Sequence, residues 1–169
     1  MRIRRAALSD AAALSAFGRR LFRETFAAEN NPDDLGAYLD RAYTETQQRE
    51  ELEDPAIETL LLEDGGLLVA FAQLREGAAG NGVDGERPIE LWRFYVDFPW
   101  HGQGVASTLM TAVEAAARSR GARTLWLGVW ERNIRAQAFY RKQGFTVVGS
   151  QIFMIGSDPQ RDLIMSKNL

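Results

Sequence analysis

The sequence predicts one mixed α/β domain whose sheet contains a parallel strand pair. Two observations carry this. The apolar runs at residues 57–62 and 67–74 are separated only by Glu63-Asp64-Gly65-Gly66, the pattern of an antiparallel hairpin. Downstream, an apolar run at residues 89–96, a glycine loop, an amphipathic helical stretch and a second apolar run at residues 124–130 read as strand, crossover helix and strand. A crossover of that length places its two strands parallel. There is no internal repeat, low-complexity run or composition shift, so residues 1–169 read as one domain.

The elements follow in order. Residues 2–7 suit a short first strand. Ser9 or Asp10 caps a helix reaching about residue 26, with Ala13, Leu14, Phe17, Leu21 and Phe22 on its apolar face. Asn30-Asn31-Pro32 interrupts it, and Pro32 or Asp33 opens a second helix with the stripe Leu35, Tyr38, Leu39 and Ala42. Residues 45–53 have helical propensity and stop near Asp54-Pro55. After the hairpin, the Gly-, Asn- and Asp-rich residues 77–87 read as a flexible connection with no core to make. Residues 104–120 form a strong helix, with Val105, Leu109, Ala112, Val113 and Ala116 on one side and Gly121 as its stop. A short helix over residues 133–143 is stopped by Gly144, and two strands, 145–155 and 161–167, finish the chain.

Composition narrows the chemistry. A net charge of −3 argues against nucleic-acid or anionic-membrane partners and leaves room for a cationic small substrate. The chain has no cysteine, which removes disulfides, a cysteine nucleophile and Cys-ligated zinc. Its single histidine excludes a multi-His metal site within one chain, so no metal is expected. The N-terminal residues lack a long apolar core and a cleavage pattern, and no apolar run is long enough to span a bilayer. These features suit a cytoplasmic protein.

The loop His101-Gly102-Gln103-Gly104-Val105-Ala106 follows a strand and opens a helix. Glycines there let backbone N–H groups approach a ligand, and the helix N-terminus adds partial positive charge, which together suit a pyrophosphate. The competing reading is a tight strand-to-helix turn and nothing more. A dinucleotide fold is a further alternative, but Ser107 follows Ala106 where a third glycine would be expected, and the loop comes after three strands rather than after the first.

The segment resembles motif A of the GNAT superfamily of N-acetyltransferases, whose loop pattern is Arg/Gln-x-x-Gly-x-Gly/Ala. Gly104 and Ala106 meet the pattern, while its first position carries His101. That departure touches a side-chain contact only, because the family's main phosphate contacts come from backbone amides. Tyr43, Thr44, Gln47, Glu50 and Leu52, the run Trp126-Leu127-Gly128-Val129-Trp130-Glu131 and the run Asp162-Leu163-Ile164-Met165 resemble the bacterial spermidine/spermine N-acetyltransferase branch, so the similarity covers nearly the whole chain. It implies a GNAT-like sheet split at its parallel pair to admit acetyl-CoA.

Further roles follow from that resemblance. The loop from His101 and Gly102 through Gln103, Gly104, Val105 and Ala106 to Ser107 would seat the pyrophosphate. The backbone of Phe94-Tyr95-Val96 would bond the pantetheine arm, with the Phe94 amide polarising the acyl carbonyl. Asn133 would contact the cofactor, or equally cap the last helix. Lys142 would reach the 3′-phosphate, or be a surface lysine. Tyr140, in Phe139-Tyr140-x-x-x-Gly144-Phe145, would protonate the departing thiolate, whereas without the family pattern it reads as an aromatic packing under the sheet.

An amine acceptor poses a proton problem. An alkyl ammonium of pKa about 10.4 is neutral in only about one molecule in 2,500 at pH 7. Glu90 lies four residues before Phe94, so strand alternation predicts that both point to one side. Histone-type members of the superfamily carry their base at this strand position, which makes Glu90 a candidate alongside a water chain or a plain solvated charge. Glu24 lies between Phe22 and Phe26 and is the candidate substrate-binding acid of the first two helices, whose other charges read as solvated.

The expectation is direct acetyl transfer from acetyl-CoA to a small-molecule primary amine, with spermidine and spermine favoured and no covalent enzyme intermediate. Another amine (an amino acid, an antibiotic or a protein N-terminus) and a non-catalytic acyl-CoA sensor are the alternatives. A homodimer built on the final strands is compatible with the sequence but not required by it.

Overall fold

Alternation along the strands sorts side chains onto two faces of one seven-stranded sheet, and helices cover both faces. The structure is a computed structural model describing residues 1–169. In chain order it comprises β1 (Arg2–Arg5), α1 (Ala11–Phe26), α2 (Pro32–Ala42), α3 (Glu45–Glu53), β2 (Ile57–Asp64), β3 (Leu67–Arg75), β4 (Pro88–Val96), α4 (Val105–Ser119), β5 (Thr124–Trp130), α5 (Ile134–Lys142), β6 (Thr146–Ile155) and β7 (Asp158–Asn168). The sheet order is β1-β2-β3-β4-β5-β7-β6. Every neighbouring pair is antiparallel except β4–β5, which is joined through the crossover helix α4.

One face packs against α4 and α5. Val105, Leu109, Met110, Val113 and Ala117 of α4 are buried against strand residues such as Leu62, Ala72, Leu91, Leu125 and Leu127. The other face, centred on Leu61 and Phe71, carries α1 and α2 through Leu14, Phe17, Leu21, Phe22, Leu35 and Leu39. The buried face of α1 runs through Ala11 and Gly18, while Ala13, expected on the apolar stripe, is exposed. Gly18 is required by close approach, since a Cβ there would fall 2.5 Å from Cε1 of the Tyr43 ring.

Local signals set the helix ends. Asn31 Oδ1 accepts from the Asp33 amide at 2.8 Å, and Thr44 Oγ1 from the Gln47 amide at 3.0 Å. Asp10 behaves otherwise. Its carboxylate turns back to the Ala7 amide (2.7 Å) and to both terminal nitrogens of Arg4 (2.7 and 2.8 Å), so α1 starts without a side-chain cap. The last strand begins at Asp158 rather than 161, because the β6–β7 hairpin turns at Gly156-Ser157, where the Ser157 amide donates to Asp34 of α2 at 2.7 Å.

Two corrections to the sequence reading matter for the site. Opposite β3, Gln73 pairs with Arg93 and Leu74 with Leu91, so Trp92 is an extra residue in β4. Such a bulge reverses the alternation beyond it. Glu90 stands opposite Arg75 on the α1/α2 side, whereas Phe94 stands opposite Ala72 and packs with the α4/α5 core. Glu90 and Phe94 therefore point to opposite faces, not to one.

The second correction concerns residues 77–87, expected to be flexible and without core contacts. They lie tightly on the sheet. A Cβ at Gly80 would meet the Trp126 ring at 2.6 Å, and one at Gly82 would meet the carbonyl oxygen of Val148. Asn81 Nδ2 donates to the Ser150 carbonyl at 3.2 Å. The final strands also leave apolar side chains on the surface, including Ile152 and Met154 of β6.

Gly82→Ala tests the packed connection. Gly82 has φ +84 and no room for a Cβ, so the variant is expected to lose more than about 1 kcal/mol of unfolding free energy in a denaturant titration.

Candidate active site

Pairing between β4 and β5 covers only Pro88 to Glu90 on one strand and Thr124 to Trp126 on the other. Beyond Glu90 the bulge at Trp92 bends β4 away, and the two strands part. The parting opens a cleft of about 730 Å³ that reaches side chains of both sheet faces. The β5-facing backbone edge of β4 beyond Glu90 has no strand partner.

On the α4 side the cleft is floored by the glycine loop. Gly102 and Gly104 adopt φ +77 and +82, with nothing within 4 Å of an added Cβ, so conformation and not crowding requires glycine. The first amide of α4 satisfied from the loop is that of Thr108, which donates to Gly104 O at 3.0 Å. The amides of Val105, Ala106 and Ser107 precede it and have no acceptor within the helix, and no side chain caps them. The donor set fits a phosphate group.

The loop side chains do different things. His101 Nε2 donates to the Val96 carbonyl at 2.8 Å, tying the loop to the end of β4, and its buried Nδ1 has no partner. That bond engages one of the backbone groups expected to meet the pantetheine arm. Gln103 Nε2 donates to Pro99 O at 2.6 Å, and the Val105 side chain is buried in the core. Ser107 and Ala106 line the cleft. Asn133 Oδ1 accepts from the Ala136 amide at 3.1 Å, so it caps α5 while also lining the cleft. Lys142 lies exposed on the cleft rim.

Tyr140 stands on this same side. Its ring meets Phe94 at 6.3 Å and Phe145 at 5.7 Å, both edge-on, and Phe94 stacks on Phe139 at 5.7 Å. The aromatic cluster fixes the phenol at the cleft wall. Burial alone pushes its pKa upward, so the hydroxyl keeps its proton throughout the neutral range. Tyr95, one residue after Phe94, turns to the other face and stacks on Phe71 at 5.5 Å.

The α1/α2 side is walled by aromatic rings. Phe22 contacts Phe26 at 4.4 Å and Tyr38 at 4.6 Å, Phe26 reaches Trp130 at 5.6 Å, and Tyr38 reaches Phe153 at 5.6 Å. Glu90 lies at the closed end of the split, where Arg75 Nη2 and Nε reach its Oε2 at 2.6 and 2.9 Å. Burial raises the Glu90 pKa and Arg75 opposes it. Glu24 lies at the mouth, exposed, 3.3 Å from Arg20.

Three residues of this face were not singled out by the sequence reading. Arg93 is buried in a closed polar network: its Nη1 donates to Glu51 of α3 and to Gln73 Oε1 (2.7 Å), and Gln73 Nε2 donates to Glu51 (3.1 Å) and to Thr59 (3.2 Å). Asp162 of β7 and Gln151 of β6 pair across their strands and meet above Gly128. An arginine inside the apolar β4 run was a visible signal. Asp162 stood in the run that carries the branch resemblance but was given no site role, because a strand acid reads as solvent-facing until the layer above it is known.

A model of the acetyltransferase (GNAT) family matches residues 20–145. The chain belongs to the GNAT acetyltransferase family. It is 32% identical over 162 residues to an uncharacterized N-acetyltransferase of Mycobacterium bovis, covering 96% of this chain and 99% of that one. The PaiA N-acetyltransferase of Thermoplasma acidophilum, solved with coenzyme A, superimposes with a TM-score of 0.82 at 22% identity, covering 99% and 98% of the two chains. YncA of Salmonella typhimurium, solved with acetyl-CoA, gives 0.76 at 20% identity over 100% and 94%. These likenesses show a GNAT fold along the whole chain. The protein is thus an acyltransferase of the GNAT family, and the dinucleotide-binding reading gives way to it. No helix is long and apolar enough to cross a membrane.

Glu51→Ala is expected to lower unfolding free energy by about 3–5 kcal/mol in a urea titration, because it leaves the Arg93 guanidinium buried without its counter-charge.

Proposed function

We propose that the protein moves acetyl from acetyl-CoA directly to a primary amine, with polyamines such as spermidine and spermine as the leading acceptors. The observation that carries this reading is the split between β4 and β5 (open at once to a phosphate-suited loop and Tyr140 on one side and to an aromatic, carboxylate-bearing pocket on the other). The amides of residues 105–107 are assigned to the pyrophosphate and Lys142, which has no ion pair, to the 3′-phosphate. The backbone of Phe94 and the amide of Val96, whose carbonyl is already bonded by His101, are assigned to the pantetheine arm, with the Phe94 amide at the acyl carbonyl.

The transfer forms a bond from the amine nitrogen to the acetyl carbon and breaks the carbon–sulfur bond. Tyr140, protonated and held in the cleft wall, gives its proton to the departing sulfur. Glu90 is held by Arg75 at the closed end of the split, which suits it to shaping the pocket floor more than to exchanging protons. Polyamine binding is supported by three carboxylates along one cleft, Glu24, Glu90 and Asp162, and by the sequence resemblance to the spermidine/spermine branch. One observation favours a second acceptor class. Glu24 and Glu90 are each engaged by an arginine and Asp162 is not, which fits a monoamine with an apolar body.

The protein has no thiol of its own, so coenzyme A release from acetyl-CoA can be read with a thiol reagent over an amine panel. Spermidine and spermine turning over ahead of monoamines supports the polyamine reading; the reverse order moves the acceptor to the monoamine class. Tyr140→Phe is expected to lower kcat by about 10²–10⁴-fold with little change in the KM for acetyl-CoA. An unchanged kcat would remove Tyr140 from the reaction.

A further inference from the structure

Asp162 lies in the interior of β7, opposite Trp130 of β5 and Gln151 of β6. Its side chain is half-buried on the aromatic-walled side of the cleft and has neither a hydrogen bond nor an ion pair in the protein. Gly128 is the reason there is space in front of it. A Cβ at Gly128 would stand 3.3 Å from Asp162 Oδ2 and 3.1 Å from Gln151 Nε2. The missing side chain opens the carboxylate toward the strand that borders the split.

An unpartnered carboxylate beneath a layer of rings costs stability, because burial disfavours its charge and nothing nearby returns the loss. The same combination of one anion and surrounding aromatic faces is what binds an ammonium ion. We infer that Asp162, seated with Gln151 above Gly128, receives the acceptor's ammonium group and takes its proton before acetyl transfer. This rests on the amine-acceptor reading above and names the group within it that handles the charge.

The protons balance. The ammonium gives its first proton to Asp162, which passes it to solvent. The second leaves as the nitrogen–carbon bond forms and the carbon–sulfur bond breaks, and it replaces the proton that Tyr140 gives to the sulfur. Burial raises the Asp162 carboxyl to about 6, which brings it closer to the amine's own value while leaving it ionised at neutral pH. Other charged groups on this side of the cleft are already engaged: Arg93 with Glu51, Arg75 with Glu90 and Glu24 with Arg20. Tyr38 is neutral, its pKa raised by burial. Arg161, the preceding residue in the chain, faces away and pairs with Glu131 at 3.4 Å.

The experiment compares wild type with Asp162→Asn on two amines across pH 5–9. One is strongly basic (spermidine or a simple alkylamine, whichever turns over). The other is trifluoroethylamine, which is already neutral at pH 7. For wild type and the basic amine, kcat/KM should rise through about pH 6 as Asp162 ionises. In Asp162→Asn it should fall about 10²–10⁴-fold at pH 7, lose that limb and climb with the free-amine fraction. The neutral amine should lose far less, and the KM for acetyl-CoA should hold. Asp162→Asn should also melt no lower than wild type above pH 6, where it removes an ionised carboxylate whose burial opposes folding; that gain shrinks as pH falls through about 6 and is gone only below the carboxyl's ordinary value of 3.8.

Gly128→Ala gives an independent reading, since its methyl crowds the seat. It should raise the amine KM and spare acetyl-CoA. Equal losses on both amines at every pH, or Asp162→Asn within about threefold of wild type, overturn the assignment even though the enzyme acetylates amines. Wild type that acetylates neither amine overturns the acceptor reading and this inference together.

Discussion

A single inserted residue in β4 is the constraint on which the functional architecture depends. Trp92 has no partner on β3, so the strand bends there and its pairing with β5 ends at Glu90. A regular β4 would have continued alongside β5, closed the sheet and left no cleft. The bulge also reverses alternation, which sends Phe94 to the α4/α5 face and leaves Arg93 and Tyr95 on the α1/α2 face. Arginine guanidinium groups hold the Trp92 ring in place, Arg93 at 3.9 Å and Arg75 at 4.1 Å from its centroid.

The polar groups around the split fall into two kinds. Arg93, Glu51, Gln73 and Thr59 form a buried network in which the partners satisfy one another, and it fastens β4 to β3, β2 and α3. A closed network of this sort specifies one arrangement of its strands. Asp162 is the opposite case: a half-buried carboxylate with no partner from the protein, facing space kept open by Gly128. Groups left unsatisfied in a cleft are where a protein retains something other than stability.

The two ends of the cleft also differ in how they are held. The loop side is fixed by backbone geometry, through left-handed Gly102 and Gly104 and the His101 bond to the Val96 carbonyl. The pocket side is fixed by ring packing among Phe22, Phe26, Tyr38, Trp130 and Phe153, drawn from α1, α2, β5 and β6. Backbone donors suit a part that recognises phosphate, whereas a wall assembled from four separate elements can change its shape by single substitutions.

Local signals in the sequence determined the element order, the break at Asn30-Asn31-Pro32, the strand–loop–helix over residues 89–120 and the position of Tyr140. Each of these depends on neighbours within a few turns, on apolar periodicity or on a glycine where φ is positive. What only the tertiary structure decided is set by contacts between distant segments. Alternation cannot reveal a bulge, so Glu90 and Phe94 were expected together and are apart. Composition marked residues 77–87 as free, yet Gly80 and Gly82 owe their identity to Trp126 and Val148 lying against them. The character of Asp162 is likewise invisible along the chain, because the burial that raises its carboxyl comes from the packing of distant segments around the cleft.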